Sequence, residues 1–296
     1  MDEMRKFILG TDWWSDCDDA VALRLLTRAM REGEVELIGV GINACAEHSV
    51  ASLVGFLRAD GIDIPVGIDH LATDFSGATK YQRRLAEEYA PDVKNGDAPD
   101  AVRLYRRILA EANEPVEIIE IGFLQVAAGV LLSGGDDISP LSGIELFRQK
   151  VAKVWVMAGR WDVDGGREHN FCNNARSREA GKVFCELCPV PVTFLGFEVG
   201  CGVISGGGVL APDDHLYRAM CDHGSERGRD SWDPMLVMLA LIGDAERAGY
   251  DLVHGVASVD AESGANHFRI SSDGRHAYVV KKFPNEYYEG QINSRL

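Results

Sequence analysis

Short apolar runs alternate with amphipathic segments along most of the chain. The runs are rich in Val and Ile and nearly continuous in apolarity, which is typical of parallel strands covered on both faces. They predict strands at Phe7–Thr11, Val35–Asn43, Ile64–Ile68, Val116–Gly122, Val151–Gly159 and Val190–Val199. Apolar residues at helical spacing predict helices at Asp18–Glu32, His48–Asp60, Ala98–Ala112, Leu124–Leu132, Ser177–Leu187 and Asp233–Ala248.

This alternation of strands and helices predicts an α/β fold with an open, mostly parallel sheet and helices on both faces. The turn-rich segments at 91–99 and 133–140 are short and lie between periodic segments, so they predict loops within one domain spanning residues 1–296. In such a sheet, the loops that follow the carboxyl ends of the strands converge on one site.

The loop after the first predicted strand is strongly acidic. Asp12, Asp16, Asp18 and Asp19 fall within a few residues, directly before the first predicted helix. One or two acids there would be an ordinary helix N-cap, since negative charge suits the N-terminal end of a helix. Four neighbouring carboxylates repel one another unless a cation compensates them. A ligand set of carboxylate oxygens indicates a hard cation, Ca²⁺ or Mg²⁺.

Polar and aromatic residues also follow the later predicted strands or begin the last predicted helix. They are Asn43, Gln125, Glu168, Asn170, Trp232 and Asp233. Acids and amides predominate among them, which suits a hydroxyl-rich ligand held by a metal, carboxylates and carboxamides. The sequence contains no glycine-rich phosphate loop.

Composition narrows the classes of partner and compartment. The net charge of −16 argues against a nucleic acid polymer or an acidic membrane as partner, but not against a small nucleoside or ribosyl ligand. Seven cysteines without framework spacing fit a reducing compartment, and Cys185 and Cys188 are expected to be plain thiols. The first apolar run is too short for a signal peptide, so we predict a cytoplasmic protein.

Five landmarks occur in a fixed order between residues 7 and 234. The first is the acidic turn Gly10-Thr-Asp12-Trp-Trp-Ser-Asp16-Cys-Asp18-Asp19-Ala20-Val-Ala22, and the second is a predicted strand that ends in Asn43. The third is Ile121-Gly-Phe-Leu-Gln-Val126, and the fourth is Met157-Ala-Gly159 leading to Glu168-His-Asn170-Phe171. The fifth is Trp232-Asp233-Pro234. Together they resemble the inosine–uridine-preferring nucleoside hydrolase family, whose bacterial members commonly carry DTDxxxDxDDAxA.

The resemblance implies Ca²⁺-dependent hydrolysis of the N-glycosidic bond of ribonucleosides through an oxocarbenium-like transition state. Asp12 would be both a Ca²⁺ ligand and the base that deprotonates the water held by the ion. The other implied ligands are Asp19, Asp233 and the backbone carbonyl of Gln125. The implied ribose ligands are Asp18, Asn43, Glu168 and Asn170, while Trp232 could stack on the base. Relatives are usually dimers or tetramers, so a homodimer or homotetramer is expected.

The sequence departs from the family pattern at three places. Gly10 stands where relatives have an Asp, and Trp232 stands where several have a His that acts as general acid. The His-rich loop after the third strand has no match near His70. Stacking by Trp13, Trp14, Trp161 or Trp232 could activate the leaving group instead, and His223 is a possible substitute acid. By contrast, His169 is expected to point away from the site.

Two other functions stay open. A metal-dependent nucleoside- or ribose-binding protein with weak or no turnover would explain Trp232. A phosphohydrolase that uses the Asp12 carboxylate as nucleophile is disfavoured, because two tryptophans follow that aspartate and a phosphate cradle is missing.

Overall fold

The computed structural model describes residues 4–75 and 79–296. The strands are β1 (Arg5–Thr11), β2 (Val35–Ile42), β3 (Val66–Ile68), β4 (Val116–Glu120), β5 (Val151–Met157), β6 (Gly166–Arg167), β7 (Val192–Leu195), β8 (Ile204–Ser205), β9 (Arg229–Asp230), β10 (Tyr250–Val259), β11 (Ala265–Ile270) and β12 (His276–Lys281). The helices are α1 (Asp18–Arg31), α2 (Ser49–Ala59), α3 (Gln82–Tyr89), α4 (Ala101–Glu111), α5 (Gln125–Leu132), α6 (Gly143–Lys150), α7 (His169–Cys172), α8 (Ala175–Leu187), α9 (Phe197–Gly200), α10 (His215–His223), α11 (Trp232–Ile242) and α12 (Asn285–Asn293).

The main sheet has ten strands in the order β3-β2-β1-β4-β5-β7-β12-β10-β11-β6. Neighbours are parallel from β3 to β12, and β10, β11 and β6 extend the sheet through antiparallel pairs. β2 and β3 lie on one side of β1, whereas β4 and the later strands of this sheet lie on the other side. The reversal between β1 and β4 is a topological switch point, where open α/β sheets bind ligands.

Helices cover both faces of the sheet. Alternate side chains of β1 point to opposite faces, since Phe7 and Leu9 pack into one core cluster whereas Ile8 packs into the other. The first cluster contains side chains of α1, α2 and α11, and the second contains side chains of α4, α5 and α8. The predicted fold class, an open and mostly parallel α/β sheet with helices on both faces, is therefore confirmed.

Several element boundaries were predicted wrongly. The predicted strand Val190–Val199 is shorter, because α9 begins at Phe197 directly after β7. The predicted helix Asp233–Ala248 ends at Ile242, because Gly243 adopts a left-handed conformation with φ of 75° and closes the helix. Segment 250–281 was not predicted to contain strands, yet it forms β10, β11 and β12. The residues of β10 alternate between buried and exposed over part of its length, so it lacks the continuous apolar run by which the other strands were recognised.

Helix caps explain two further shifts. The predicted helix Ala98–Ala112 begins at Ala101, because the side chain of Asp100 accepts a hydrogen bond from the main-chain amide of Arg103 at 3.0 Å. The predicted helix Ser177–Leu187 begins two residues earlier, because Asn174 caps α8. The expected strand Ile64–Ile68 starts only at Val66, after Pro65.

A buried acid on β4 occupies the space beside Gly10. Gly10 pairs with Glu120 across the two strands, and a Cβ atom at residue 10 would lie 1.8 Å from Glu120 Oε2. The Tyr105 hydroxyl donates a hydrogen bond of 3.2 Å to Glu120 Oε1, whereas Oε2 has no partner among the described residues. Burial raises the pKa of Glu120 to about 8, so this carboxyl is protonated at neutral pH.

Glu120→Gln is expected to weaken the loss of stability at alkaline pH. Because burial raises the pKa of Glu120 from 4.5 to about 8, the folded protein keeps a proton that the unfolded chain releases, and the free energy of unfolding falls as pH rises through that range. Gln can still accept from Tyr105 and carries no charge, so the variant should be more stable than wild type above pH ~8, by a few kcal/mol at about 1.4 kcal/mol per pKa unit. Urea unfolding at several pH values measures this.

The control for this prediction is Glu246→Gln, because Glu246 is exposed. Its free energy of unfolding should follow the wild-type pH dependence. A Glu120→Gln variant with the wild-type pH dependence would contradict the prediction.

Candidate functional site

A cavity of about 210 Å³ opens at the carboxyl ends of β1, β4 and β5, at the switch point of the sheet. Seven of the nine residues predicted for the site line it, namely Asp12, Asp18, Asp19, Glu168, Asn170, Trp232 and Asp233. Its other lining residues are Ser15, Asp16, Ile121, Met157, His169, Phe197 and Arg229. The loops that follow three parallel strands therefore meet at one place.

Three buried carboxylates converge in this cavity. Oxygen atoms of Asp18, Asp19 and Asp233 lie within 4.8 Å of one another. Asp18 and Asp19 begin α1, and Asp233 lies in the first turn of α11. The main-chain amide of Asp233 donates to Asp18 Oδ2 at 3.2 Å, which joins the two helix N-termini. The positive ends of both helices favour negative charge at this point.

Asp12 lines the same cavity from the end of β1. Burial, followed by the charge of Asp18, raises the pKa of Asp12 to about 7. Burial and the neighbouring acids also hold the pKa values of Asp18, Asp19 and Asp233 well above the ordinary range of an aspartate. These carboxyl groups resist ionising together, and a divalent cation would remove that resistance.

The donor set fits a hard divalent cation, because it consists of converging carboxylate oxygens. Asp19 is oriented for such a role, since its Oδ1 accepts hydrogen bonds from the Thr11 hydroxyl and from the main-chain amide of Trp13. Trp13 has a φ of 47°, a left-handed conformation that is unusual for a residue with a side chain. The turn after β1 is thus held in a shape that presents both Asp12 and Asp19 to the cavity.

A second group of potential metal ligands does not have the same character. Atoms of Asp16, Cys17 and His223 also lie within 4.8 Å of one another. Asp16, however, forms an ion pair with Arg229, at 2.6 Å between Oδ2 and Nη2. Burial raises the pKa of the Cys17 thiol, so the thiolate that a metal requires is disfavoured.

Glu168 and Asn170 are fixed to the end of β5. Glu168 accepts hydrogen bonds from the main-chain amides of Gly159, at 2.9 Å, and Asn170, at 2.8 Å. Asn170 Nδ2 donates to the carbonyl oxygen of Met157 at 2.8 Å. Burial raises the pKa of Glu168 to about 7. Both side chains are therefore held rigidly on one wall of the cavity.

Asn43 and Gln125 do not line the cavity among the described residues; they lie behind its wall. Asn43 is fully buried, and its Oδ1 accepts a hydrogen bond of 3.0 Å from the main-chain amide of Phe123. Gln125 Nε2 donates to the main-chain carbonyl of Asn43. Gly122 permits this close packing, because a Cβ atom there would lie 2.3 Å from the amide nitrogen of Asp12. The hydrogen bond between Asn43 and Gln125 thus joins the loops after β2 and β4, behind Asp12.

The sequence did not assign three of the cavity-lining side chains to the site, namely His169, Phe197 and Arg229. His169 was expected to point away, but α7 is a single short turn, so residues 168–170 all reach the cavity. Phe197 stacks on Trp232 with 5.4 Å between ring centroids and 22° between planes. The Trp232 indole N–H donates to the main-chain carbonyl oxygen of Phe197. The Arg229 guanidinium lies 5.3 Å from the Trp232 ring centroid and pairs with Asp16.

The other tryptophans pack against protein. Trp13 is fully buried between Phe56 and Tyr81, with its indole N–H donating to Ser52 at 2.8 Å. Trp161 is buried in an aromatic cluster with Phe171, Phe194, Phe268 and Tyr278. Trp14 packs with Phe75 beside the cavity.

His223 does not line the cavity. Its ring nitrogens lie 2.8 Å from Ser225 Oγ and 3.1 Å from the Ser15 carbonyl oxygen.

Comparison with solved structures finds similar chains over nearly the full length. An inosine–guanosine nucleoside hydrolase superposes with a TM-score of 0.71 and 17% sequence identity, covering 99% of this chain and 98% of that one. The inosine–uridine preferring nucleoside hydrolase of Bacillus anthracis superposes with a TM-score of 0.68 and 16% identity, covering 99% and 100%. The chain has the nucleoside hydrolase fold.

The nucleoside hydrolase fold is also present in another kind of protein. The type III effector protein XopQ, in a structure complexed with adenosine diphosphate ribose, superposes with a TM-score of 0.69 and 14% identity, covering 100% of this chain and 94% of that one. No protein-family model and no curated protein sequence matches this chain. Among residues 4–75 and 79–296, no helix is long and apolar enough to cross a membrane.

Proposed function

We propose that the protein is a Ca²⁺-dependent N-ribosyl hydrolase that converts a ribonucleoside and water into ribose and base. The observation that carries this proposal is the convergence of Asp18, Asp19 and Asp233 beside Asp12, at the switch point of a nucleoside hydrolase fold. Asp12, Asp19 and Asp233 would hold the ion, whereas Gln125, which the resemblance also implies as a ligand, is not among the described residues that line the cavity. When bound, Ca²⁺ would coordinate hydroxyl groups, and its positive charge would favour the ionisation of water.

In this proposal, Asp12 is the general base. Its Oδ1 accepts a hydrogen bond of 3.1 Å from the main-chain amide of Trp14, and no described residue donates to its Oδ2. One oxygen is therefore available to take a proton from water. The acidic walls of the cavity also favour the positive charge that develops on the ribosyl ring as the bond to the base breaks.

The rigid polar wall orients the sugar. Asp18, Glu168 and Asn170 line the cavity and would bind ribose hydroxyls, which orients the anomeric carbon toward the attacking water. Asn43 would act indirectly, by fixing the loops on which Asp12 and Phe123 lie. Trp232, backed by Phe197, offers a flat face for the base.

A ribosyl-binding protein without turnover is the second candidate. It is favoured by Trp232, because an indole N–H cannot protonate a leaving base near neutral pH. The fold similarity to an effector protein seen with adenosine diphosphate ribose supports the same candidate. The two candidates share the metal and ribose contacts and differ in whether product forms.

A panel of substrates distinguishes these functions. The purified protein is incubated with inosine, guanosine, adenosine, uridine, cytidine and adenosine diphosphate ribose, with Ca²⁺ or with EDTA, and reducing sugar and free base are measured. We expect equal amounts of both products from at least one nucleoside, their loss with EDTA and their recovery with Ca²⁺. Calorimetric binding without product would support the second candidate. Release of inorganic phosphate from nucleotides would support the phosphohydrolase, and absence of binding and products would refute both ribosyl functions.

A further inference from the structure

We propose that His169 is the general acid that protonates the departing base. The inference rests on the proposed N-ribosyl hydrolase function and deepens it by assigning the leaving-group step to a residue of this chain. A purine or pyrimidine leaves poorly as an anion, so a proton donor beside the base would lower the barrier to cleavage.

The position of His169 meets the first requirement for that role. It begins α7 between Glu168 and Asn170 and lines the same cavity as Asp12 and Asp233. Its ring stacks at 6.4 Å, with 22° between planes, on Trp14. It also lies 5.6 Å from Phe123. The residue is exposed overall, so the imidazole reaches both the cavity and the solvent that would reprotonate it.

A neighbouring amide holds one ring nitrogen. The side-chain nitrogen of Asn173 lies 3.1 Å from His169 Nε2. Loss of the Nδ1 proton leaves a neutral ring that keeps Nε2–H, so the amide of Asn173, turned to present its oxygen, can accept from Nε2–H before and after the transfer. Asn173 is therefore a positioning residue in both states. Nδ1 makes no hydrogen bond to a described residue and is available to a substrate.

Other nitrogen donors near the cavity cannot supply the proton. Arg229 is paired with Asp16, and this pairing raises the pKa of the guanidinium further. The Trp232 indole N–H is bonded to the Phe197 carbonyl, and His223 lies outside the lining, with Ser225 and Ser15 as partners. Asp16 is paired with Arg229, and the other carboxyl groups of the cavity are assigned to the ion, the water and the ribose hydroxyls. This leaves His169 as the nitrogen acid among the described lining residues.

The step balances without a further reactant. The bond between C1′ and the base nitrogen breaks, and its electron pair stays on the base. A proton moves from His169 Nδ1 to the base, which leaves as a neutral molecule. The oxygen of water forms the new bond to C1′, and the water gives a proton to Asp12. Exchange with solvent then removes the proton from Asp12 and restores the one on His169.

The test compares two leaving groups in the full-length protein loaded with Ca²⁺. Inosine needs protonation of its base, whereas p-nitrophenyl β-D-ribofuranoside releases a phenolate that is stable as an anion. His169→Phe keeps an aromatic ring against Trp14 and Phe123 but cannot donate a proton. We expect kcat for inosine to fall by about 10²- to 10⁴-fold, and kcat for the p-nitrophenyl riboside to change by less than about threefold.

Two further variants complete the test. His169→Gln should show the same selective loss, which keeps the result interpretable if the Phe variant fails to fold. His254→Phe is the matched control, because His254 is exposed on β10, outside the cavity lining, and it should leave both rates unchanged. Equal losses on both substrates, or an undiminished rate on inosine, would overturn the role of His169. A wild-type protein that hydrolyses neither the p-nitrophenyl riboside nor any nucleoside of the panel would instead refute the proposed function, and the assignment with it.

Discussion

Asp12→Asn is expected to lower the turnover of nucleosides by about 10⁴-fold, the upper end of what a general base contributes. The amide has nearly the shape of the carboxylate, so the hydrogen bond from the Trp14 main chain can persist at Oδ1. The amide cannot accept the proton of the attacking water, and because it is neutral it binds the cation more weakly than the carboxylate does. Steady-state rates with the best nucleoside of the panel measure the loss, and circular dichroism checks the fold.

Stability should change in the opposite direction from activity. Burial raises the pKa of Asp12 from 3.8 to about 7, so in the absence of a cation its ionisation costs the folded state stability as pH rises through that range. Asp12→Asn removes this cost, and the variant should unfold at a higher temperature than wild type in EDTA at pH ~8. The control is Asp213→Asn, at an exposed residue, which should change neither rate nor stability. An active Asp12→Asn variant would refute the assignment of the base.

Calcium is expected to raise the unfolding temperature of the wild-type protein by roughly 10 °C. At a thousand times the dissociation constant, a ligand adds about 4 kcal/mol to the free energy of unfolding, and each kcal/mol is worth about 2–4 °C in a large domain. The reason is local, because the ion offsets the repulsion among buried acids whose pKa values are raised. Thermal unfolding in Ca²⁺ and in EDTA measures the shift.

Asp233→Asn should abolish most of this calcium-dependent shift. The variant loses one of the three converging carboxylates yet keeps the main-chain amide that donates to Asp18. Glu246→Gln removes one negative charge from an exposed residue beyond α11 and should keep the full shift. If calcium stabilised Asp233→Asn as strongly as wild type, the ion would bind elsewhere, and the proposed site would be wrong.

Local features of the sequence predicted much of the site. The strand at Phe7–Thr11 and the acids that follow it are contiguous, so the place of Asp12, Asp18 and Asp19 at the end of β1 could be predicted from pattern alone. Asp233 was different, because nothing local indicates which distant helix reaches the acidic turn. The pattern placed it only at the start of a helix, its role as a ligand of the ion came from the resemblance, and the structure brings it within 4.8 Å of Asp18 and Asp19.

Features that depend on long-range packing escaped prediction. The ion pair of Arg229 with Asp16 joins residues that are far apart along the chain. The local sequence around either residue does not predict which side chain it contacts. The position of His169 depends on how short α7 is, which periodicity cannot indicate over four residues. Gly10 was seen as a lost carboxylate, whereas the side chain of Glu120 from the neighbouring strand occupies the space beside it.

The contact between the amide of Asp233 and the carboxylate of Asp18 spans 215 residues of sequence. A polypeptide emerging from the ribosome could not close this junction until its eleventh helix had been made, and the entropy of forming so large a ring must be overcome first. Cation capture would then come late in folding. Its main kinetic effect would be to slow the separation of the two helix ends and so to lower the unfolding rate. The folding rate would change little.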